Sequence, residues 1–520
     1  MIAPLIRYTA LGAVGVGGIL ALKENEWNPK EIGLVRFGRA FVTASKIAAD
    51  YKFSLIGHDD CSDPSLKAWS DCHKRSAERL LDLCCKNGGI FIKVGQHIAA
   101  LQYLVPIEYV ETLSVLHNKA PRTQYNDIKK VIKEDLKADL EELFEEFEIE
   151  PVGAASFAQV HRAKLRSNGQ LVAVKVQHPQ VQKHSYVDMA TMDIIVQVVA
   201  KLFPNFSFLW LAESTKKNIP LELDFRHEGR NADKTRRLLD YFEWLRVPKI
   251  HWELSSSRIL LMDFEVGGMI NDTKYIEKHG IDKQQLTRRL GSLYCDMIFR
   301  HGHVHCDPHP GNILVKNTEK GAQIILLDHG LYTHLSDEFR SRYSNLWLAL
   351  IQANMDSIKK HATELGVGEL YGILACVVSG RPWSAVVRGI TEHIDKKAMQ
   401  SEESEIKSYA SRYMSEINQL LSNVPRELLL ILKTNDLLRS IETRMGTKGQ
   451  QMSFIIMTRY CSENVHANLL KQCQNWRCRL RVRTAHRWID FKLRVYQLYL
   501  WMKWYFTRTQ PHHLALQDVL

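Results

Sequence analysis

Apolar residues recur at three- and four-residue steps between charged positions over the first part of the chain, from about residue 28 to residue 147. The repeat is clearest near its end, at Ile128, Val131, Ile132, Leu136, Leu140, Leu143, Phe144 and Phe147. This spacing places apolar side chains on one face of an amphipathic helix. We therefore expect residues 28–150 to form a helical extension that ends before Pro151.

After Pro151 the pattern becomes typical of short strands. A strand-like run passes through Val160 and His161, and the pair Asn168-Gly169 predicts a turn. The run from Leu171 to Val176 then alternates in a way that predicts a second long strand. Together these runs indicate a small antiparallel sheet.

The next part of the chain alternates between helical and strand-like patterns. A helical stretch runs from about residue 187 to residue 239 and is expected to be interrupted near Pro204 and Pro220. A strand-like run, residues 258–264, then ends at Gly267-Gly268. Sheet, helix, strand and a glycine-bearing hinge follow one another in the order of a kinase small lobe.

Beyond Tyr275 the pattern is mainly helical, with one exception between His303 and Gly330. Two apolar runs, residues 313–315 and 324–327, flank a polar turn there and predict a hairpin. This short exception carries most of the candidate chemistry.

Three polar side chains around the hairpin have the types and spacing of a phosphotransferase site. Asp307 is followed five residues later by Asn312, and Asp328 ends the second apolar run. In kinases these positions hold the catalytic-loop aspartate and the two metal-binding residues. We therefore expect a kinase or an ATPase, in which Asp307 activates the acceptor or water, and Asn312 and Asp328 hold Mg²⁺ against the phosphates of ATP.

Two alternatives stay open for this loop. Asp-Pro and Asp-x-Gly sequences also mark ordinary turns. In addition, His305, Cys306 and His309 are soft ligands that could form a zinc site. The ten cysteines show no regular Cys-x-x-Cys pairing, and we expect them to be reduced, structural thiols.

A lysine in the second long strand is a candidate for binding nucleotide phosphates. Val172, Val174 and Val176 share one face of that strand, so Lys175 points to the other. The alternative is an exposed lysine on an edge strand. A phosphate-binding lysine needs a carboxylate partner, for which the candidates are Glu222, Asp224 and Glu228. We expect the ion pair to form with Glu228.

Four motifs together resemble the UbiB, or aarF-domain, family of atypical kinases over about residues 30–460. They are Lys93-Val94-Gly95-Gln96, Gly153-Ala154-Ala155-Ser156 followed by Gln159-Val160, Glu222-Leu223-Asp224, and Asp328-His329-Gly330. The resemblance implies an α+β, two-lobed, atypical protein-kinase-like fold with a helical N-terminal extension. The expected organisation is an N-terminal targeting or anchor segment (1–27), the helical extension (28–150), a small lobe (151–268), a large lobe (269–460) and a basic, aromatic C-terminal tail (461–520).

The resemblance also implies how the site works. It implies that Gly153 to Ser156 replaces the usual glycine-rich nucleotide loop, and that Lys93 and Gln96 lie over the active site and meet Glu222 and Asp224. A protein substrate is then less favoured than a lipid or quinone-type small molecule. The implied role is in mitochondrial lipid or quinone homeostasis and inner-membrane (cristae) organisation. A nucleotide-binding scaffold and a protein Ser/Thr kinase remain the alternatives, and the acceptor is undetermined.

The two ends of the chain bear on location and partners. Residues 1–22 contain no acid and include an apolar, glycine-rich run, which favours mitochondrial import over secretory targeting or a disordered end. The net charge is +11, and Arg and Lys concentrate between Trp476 and Arg508. This basic, aromatic segment suits an anionic lipid or membrane surface. Nucleic-acid binding and simple packing are alternatives; we expect no nucleic acid, and the oligomeric state is not indicated.

Overall fold

The computed structural model describes residues 32–57, 63–99, 105–117, 122–203, 209–388, 424–446 and 451–507. The predicted targeting segment, residues 1–27, lies outside these ranges. The chain folds into two compact units, residues 1–223 and 224–520. This division falls inside the predicted small lobe, and the predicted lobe boundaries stay predictions.

Helices make up the first part of the first unit, as the apolar spacing predicted. They are α1 Gly33–Ser54, α2 Asp63–Asn87, α3 Gly89–Ala99, α4 Ile107–Leu113, α5 Tyr125–Leu136 and α6 Leu140–Leu143, with a 3-10 turn at Ser114–His117. Helix α3 buries Phe91 and Ile92 against Leu83, Leu113 and Leu116. This packing fixes the helix that carries the Lys-x-Gly-Gln motif.

The helical prediction is wrong for Phe144 and Phe147. Helix α5 ends at Leu136 and is followed by the C-cap Lys137, whose φ is +56°, and α6 is a single turn whose N-cap is Asp139. Residues Phe144–Phe147 then form strand β1, in which Phe144 lies opposite Leu165 of the neighbouring strand. Strand pairing overrides a three-residue spacing that by itself is compatible with a helix.

The antiparallel sheet of the first unit confirms the predicted strands. After β1 come β2 Gly153–Ala154, β3 Ala158–Leu165 and β4 Leu171–Gln177, in the spatial order β1-β3-β4, with β2 also paired with β3. Gly169 has a φ of +71° in the turn between β3 and β4, which explains the glycine there.

Two further helices, α7 Pro179–Leu202 and α8 Leu209–Glu222, complete the described part of the first unit. Pro220 lies inside α8, so the predicted interruption falls two residues later, at the end of that helix. Pro204 lies outside the described residues. Ile219 and Leu223 at the end of α8 pack with Ile90 of α3 and with Phe157. This contact brings the ends of two motif-bearing segments together.

The second unit begins with α9 Phe225–Leu238, whose N-terminus is capped by Asp224 through a hydrogen bond from the Arg226 backbone N–H. Its strands are β5 Leu245–Arg246, β6 Ile259–Asp263, β7 Gly268–Met269, β8 His303–His305, β9 Ile313–Thr318, β10 Gly321–Leu326 and β11 Tyr332–His334. One sheet has the order β5-β10-β9-β7, and β8 pairs with β11. The predicted strand at 258–264 and the predicted hairpin are confirmed.

Helices supply the rest of the second unit. They are α10 Thr273–Lys278, α11 Lys283–Cys295, α12 Asp337–Ile351, α13 Met355–Glu364, α14 Tyr371–Ser379, α15 Trp383–Arg388, α16 Arg426–Met445, α17 Gln451–Gln472 and α18 Trp476–Thr507, with a π-helical turn at Asp296–His301. In the described ranges, none of the helices combines the length and the apolar character that crossing a bilayer requires.

One expectation about the cysteines is wrong. Cys473 and Cys478 form a disulfide, because the turn between α17 and α18 brings their Cα atoms to 5.6 Å, within the range a disulfide needs. The other cysteines in the described residues are reduced thiols, as expected: Cys72, Cys84, Cys85, Cys295, Cys306, Cys376 and Cys461.

Candidate active site

The loop that carries Asp307 follows directly from strand β8 and is fixed by its own backbone. The His309 N–H donates to the Asp307 carbonyl oxygen at 2.7 Å, and the Asn312 N–H donates to the His309 carbonyl oxygen at 2.8 Å. The Gly311 N–H donates to His309 Nδ1 at 3.2 Å, which caps the 3-10 turn that ends at Asn312. The loop therefore holds Asp307 in one position relative to the start of β9.

Hydrogen bonds also tie Asn312 to Asp307 and to Leu327, the residue before Asp328. Its side-chain Nδ2 donates to the Asp307 carbonyl oxygen at 3.2 Å, and its own carbonyl oxygen accepts from the Leu327 N–H at 3.0 Å. Asp328 follows Leu327, and its Oδ1 accepts from the Gly330 N–H at 3.0 Å. The structure thus brings Asp307, Asn312 and Asp328 to the same end of the β9–β10 hairpin.

The donor atoms at this end of the hairpin fit Mg²⁺ carried by a nucleotide. Since the Asn312 amide nitrogen is engaged, its oxygen is the atom of that amide that can bind a cation. A carboxylate and an amide oxygen are hard ligands, and Mg²⁺ usually completes its shell with phosphate oxygens and water. Within the described ranges, no cluster of three or more His, Cys, Asp or Glu could hold a metal alone.

The contacts of Cys306 and His305 do not favour the zinc alternative. Cys306 is fully buried, its Sγ donates to the Val304 carbonyl oxygen, and burial raises the pKa of this thiol to about 12. His305 Nδ1 lies 2.8 Å from the Tyr294 hydroxyl, and burial lowers the pKa of this histidine. Both side chains are explained as structural supports of the loop.

His329, which stands where most kinases have phenylalanine, is held by hydrogen bonds. Its Nε2 lies 3.3 Å from the Leu326 carbonyl oxygen and therefore donates, so Nδ1 accepts from the Tyr332 hydroxyl at 2.8 Å. The His329 carbonyl oxygen accepts from Asn231 Nδ2 at 3.0 Å, and Thr235 donates to the Tyr332 hydroxyl at 3.0 Å. A buried polar network thus fixes the residue beside Asp328.

A lysine far along the chain also reaches the predicted catalytic carboxylate. Lys433 of α16 places its Nζ 3.1 Å from Asp307 Oδ1, and the two side chains are 12% and 24% exposed. Leu432 and Thr434 on either side of Lys433 are buried, so packing holds this part of the helix in place. Local spacing in the sequence does not indicate a contact between residues 126 positions apart.

The predicted nucleotide loop of the first unit is a hairpin end. Gly153 and Ala154 form β2 opposite Val160 and Gln159, and the Ala155 N–H donates to the Ala158 carbonyl oxygen at 2.7 Å. His178 Nε2 lies 3.2 Å from the Ala155 carbonyl oxygen, while its Nδ1 lies 2.6 Å from the Thr123 hydroxyl. A Cβ at Gly153 would meet no atom within 4 Å, and its φ is ordinary. Loop packing thus does not require glycine at 153.

The predicted phosphate-binding lysine and its carboxylate are each buried. Lys175 is 9% exposed and lies opposite Val160 in β3, so it is not an exposed edge-strand lysine. Residues 172–177 are buried on both faces of β4, not only on the face of the valines. Glu228 is 3% exposed on α9. The two residues belong to different units, and their pairing stays a prediction.

Within the first unit, the motif Lys93-Val94-Gly95-Gln96 contacts Glu222, the first residue of the motif Glu222-Leu223-Asp224. Lys93 Nζ lies 2.7 Å from Glu222 Oε2, and the Phe157 ring lies 6.0 Å from the ammonium. Gln96 does not point to the same carboxylate: its Nε2 donates to the Leu116 carbonyl oxygen at 3.0 Å. Asp224 is the N-cap of α9 in the second unit, so its predicted meeting with the motif stays a prediction.

Several residues of the site were not predicted. Tyr332, Asn231, Thr235 and His178 hold predicted residues in place, and Lys433 contacts one directly. Tyr332 follows His329 by three residues, a local signal that could have been noticed. The others come from elements that only the tertiary structure brings near.

The antiparallel sheet with its buried lysine, followed by a fixed loop with Asp307 and Asn312 and a strand that ends at Asp328, defines a kinase-like protein. Residues 115–362 match the ABC1 atypical kinase-like domain. The expectation of an α+β kinase-like fold is confirmed.

Full-length relatives agree with that class. The chain is 48% identical over 493 residues to AarF domain-containing protein kinase 1 of Gallus gallus, covering 94% of each chain. It is 50% identical over 466 residues to the protein of the same name in Xenopus laevis, covering 89% of each. It is 46% identical over 505 residues to AarF domain-containing kinase 1 of Drosophila melanogaster, covering 95% of this chain and 97% of that one. The chain belongs to the aarF-domain (ABC1) family of atypical kinases.

Proposed function

We propose that this chain transfers the γ-phosphoryl group of Mg-ATP to a small acceptor or to water. The observation that carries the proposal is the hydrogen-bonded placement of Asp307, Asn312 and Asp328 at one end of the β9–β10 hairpin. Asn312 and Asp328 would hold Mg²⁺, which neutralises phosphate charge when bound. Asp307 would orient the acceptor hydroxyl or water and take its proton.

The first unit would supply the nucleotide contacts. Lys175 is a buried cation on the sheet, and a buried ammonium is stable only with an anionic partner. In the proposal it is held by Glu228 and binds the ATP phosphates, and the loop Gly153 to Ser156 lies against the nucleotide. The single glycine of that loop implies tighter limits on backbone approach than a glycine-rich loop has.

The proposed setting is the mitochondrial inner membrane, with a lipid or quinone-type acceptor and a role in lipid or quinone homeostasis and cristae organisation. Its support is the acid-free N-terminus together with membership of the family. Residues 1–28 fused to a fluorescent reporter test the location. Mitochondrial signal is expected, and diffuse cytosolic signal would contradict it.

Phosphate release from Mg-ATP by the full-length chain tests the chemistry. Asp307→Asn is expected to lower turnover by about 10²- to 10⁴-fold, the usual contribution of a positioned base. Asp328→Asn should abolish turnover through loss of a metal ligand. Asp82→Asn is the matched control, because that carboxylate is 59% exposed on α2 and pairs only with a surface lysine in the described structure.

The outcomes separate this proposal from its two alternatives. Turnover lost in both site variants and kept in the control supports an enzyme. No turnover in the unaltered chain, with Mg-ATP still raising its melting temperature through Asp328, would favour the nucleotide-binding scaffold. Phosphopeptides formed in a mitochondrial extract, dependent on Asp307, would favour a protein Ser/Thr kinase.

A further inference from the structure

Helix α18, Trp476–Thr507, exposes a stripe of large apolar side chains, which Arg477 and Thr484 interrupt. The exposed apolar side chains, each between 40% and 68% exposed, are Trp476, Leu480, Trp488, Phe491, Val495, Leu498 and Met502. At about 100° of rotation per residue, these positions fall within roughly 120° of the helix circumference. Leu493 is buried on the opposite side, where the helix packs against α17. The stripe therefore faces away from the protein.

Cations border this stripe along both edges. By the same helical geometry, Arg481 and Lys492 lie beyond one edge, and Arg483, Arg487 and Arg494 lie along the other. The helix contains one acidic residue, Asp490, which already accepts an ion pair from Arg494 at 2.7 Å. Lys492 Nζ also lies 6.0 Å from the centre of the Trp488 ring. The exposed face is thus mainly apolar, with Arg477 within it, and positive at both margins.

We propose that α18 lies in the plane of an anionic phospholipid surface. An apolar stripe with cationic margins matches acyl chains at the centre and lipid phosphates at the sides. Nucleic acid would require cations and hydrogen-bonding groups across the whole face, most of which is instead occupied by apolar side chains such as Leu480, Val495 and Leu498. A second copy of the same face would bring like charges together. The proposal is independent of the proposed phosphoryl transfer.

Vesicle flotation with the full-length chain tests the surface. The vesicles contain phosphatidylcholine alone or with 30 mol% phosphatidylglycerol. Leu480→Ser with Phe491→Ser should weaken binding to the anionic vesicles by about tenfold or more, because two exposed apolar side chains no longer enter the acyl boundary. Arg481→Gln with Lys492→Gln should weaken it about fivefold per charge.

Lys320→Gln with Lys359→Gln is the matched control, since those lysines are 70% and 50% exposed and lie outside α18. Binding that depends on the stripe and its margins, and not on the control lysines, supports the proposal. Equal binding by the stripe variant, binding only to single-stranded RNA, or self-association lost in the stripe variant without vesicle binding would each overturn it.

A second observation, the contact of Lys433 with Asp307, carries a separate inference about the site. The loop from His305 to Asn312 contains no lysine or arginine of its own. Lys433 supplies an ammonium to that loop from helix α16, with its Nζ 3.1 Å from the carboxylate. The structure assigns Lys433 as a positioning residue that holds the Asp307 carboxylate toward the acceptor. This assignment rests on the proposed phosphoryl transfer.

Kinetics of Lys433→Met test the assignment. The maximal rate is expected to fall about 10- to 100-fold with an unchanged KM for ATP, because a displaced carboxylate slows transfer without changing nucleotide binding. Lys433→Arg should recover part of the loss, and Lys433→Met should have no further effect when Asp307 is already Asn. Arg444→Met, which removes an exposed cation from the same helix, is the control.

Melting temperatures distinguish a failure of this assignment from a failure of the proposed function. If the unaltered chain shows no turnover, the proposed phosphoryl transfer is wrong. A double-mutant cycle of melting temperatures, with Lys433→Met and Asp307→Asn alone and together, then tests the contact between the two residues. Non-additive shifts in melting temperature would support the restraint. Additive shifts, or an unchanged maximal rate in an active protein, would overturn it.

Discussion

Replacing Lys93 by methionine tests the contact between the two family motifs of the first unit. Lys93 Nζ lies 2.7 Å from Glu222 Oε2, and the two side chains are only 15% and 6% exposed. Among the described residues, the other carboxylate oxygen, Oε1, is buried without a hydrogen-bond partner. Lys93→Met would therefore leave a buried carboxylate without the cation that compensates it.

The expected cost follows from that burial. Breaking one side of a buried ion pair typically destabilises a protein by about 3–5 kcal/mol, because the remaining charge is uncompensated. For a unit of this size, that corresponds to a fall of roughly 6–20 °C in melting temperature. Replacing both partners is far less costly. Lys93→Met with Glu222→Leu should therefore melt well above Lys93→Met alone.

Scanning calorimetry of the full-length chain measures both variants. Lys86→Met is the control, because Lys86 pairs with Asp82 on the surface, where both side chains are more than half exposed. Such a pair contributes at most about 1 kcal/mol. A Lys93→Met shift no larger than that of the control, or a double variant no more stable than the single one, would refute the reasoning.

Three further predictions concern packing, pH and redox state. Gly95→Ala should destabilise the first unit by about 1–3 kcal/mol in urea unfolding, because the added methyl would overlap Leu116 in a filled core. The loss caused by Gly95→Ala should be smaller in a chain that also carries Leu116→Ala. Burial raises the pKa of Glu442 from its ordinary 4.5 to about 7. The free energy of unfolding should therefore fall, by about 3 kcal/mol at most, as the pH rises from about 4.5 to about 7. Glu442→Gln should flatten this fall in chemical unfolding, and the same pH dependence in the variant and the unaltered chain would contradict the prediction. In unreduced protein, peptide mapping should find Cys473 linked to Cys478; alkylation of both before reduction would contradict the disulfide.

Much of the fold follows from local patterns in the sequence. The helices before residue 144, the β3–β4 pair around Gly169 and the β9–β10 hairpin are visible as periodicity and turn chemistry. The same is true of Asp307, Asn312 and Asp328, because the short motifs that carry them lie at the start and at the end of one hairpin. Short-range spacing is enough wherever the controlling hydrogen bonds are themselves short-range.

The sequence by itself therefore determined the order of elements, the kinase-like loop and the motifs that mark the family. Only the tertiary structure decided that Phe144 belongs to a strand, that Lys93 meets Glu222 and that Lys433 reaches Asp307. It also showed that the apolar residues of α18 form one outward stripe. The physical reason is that strand pairing, burial and ion pairing between distant segments depend on which surfaces pack together, and local spacing does not contain that information.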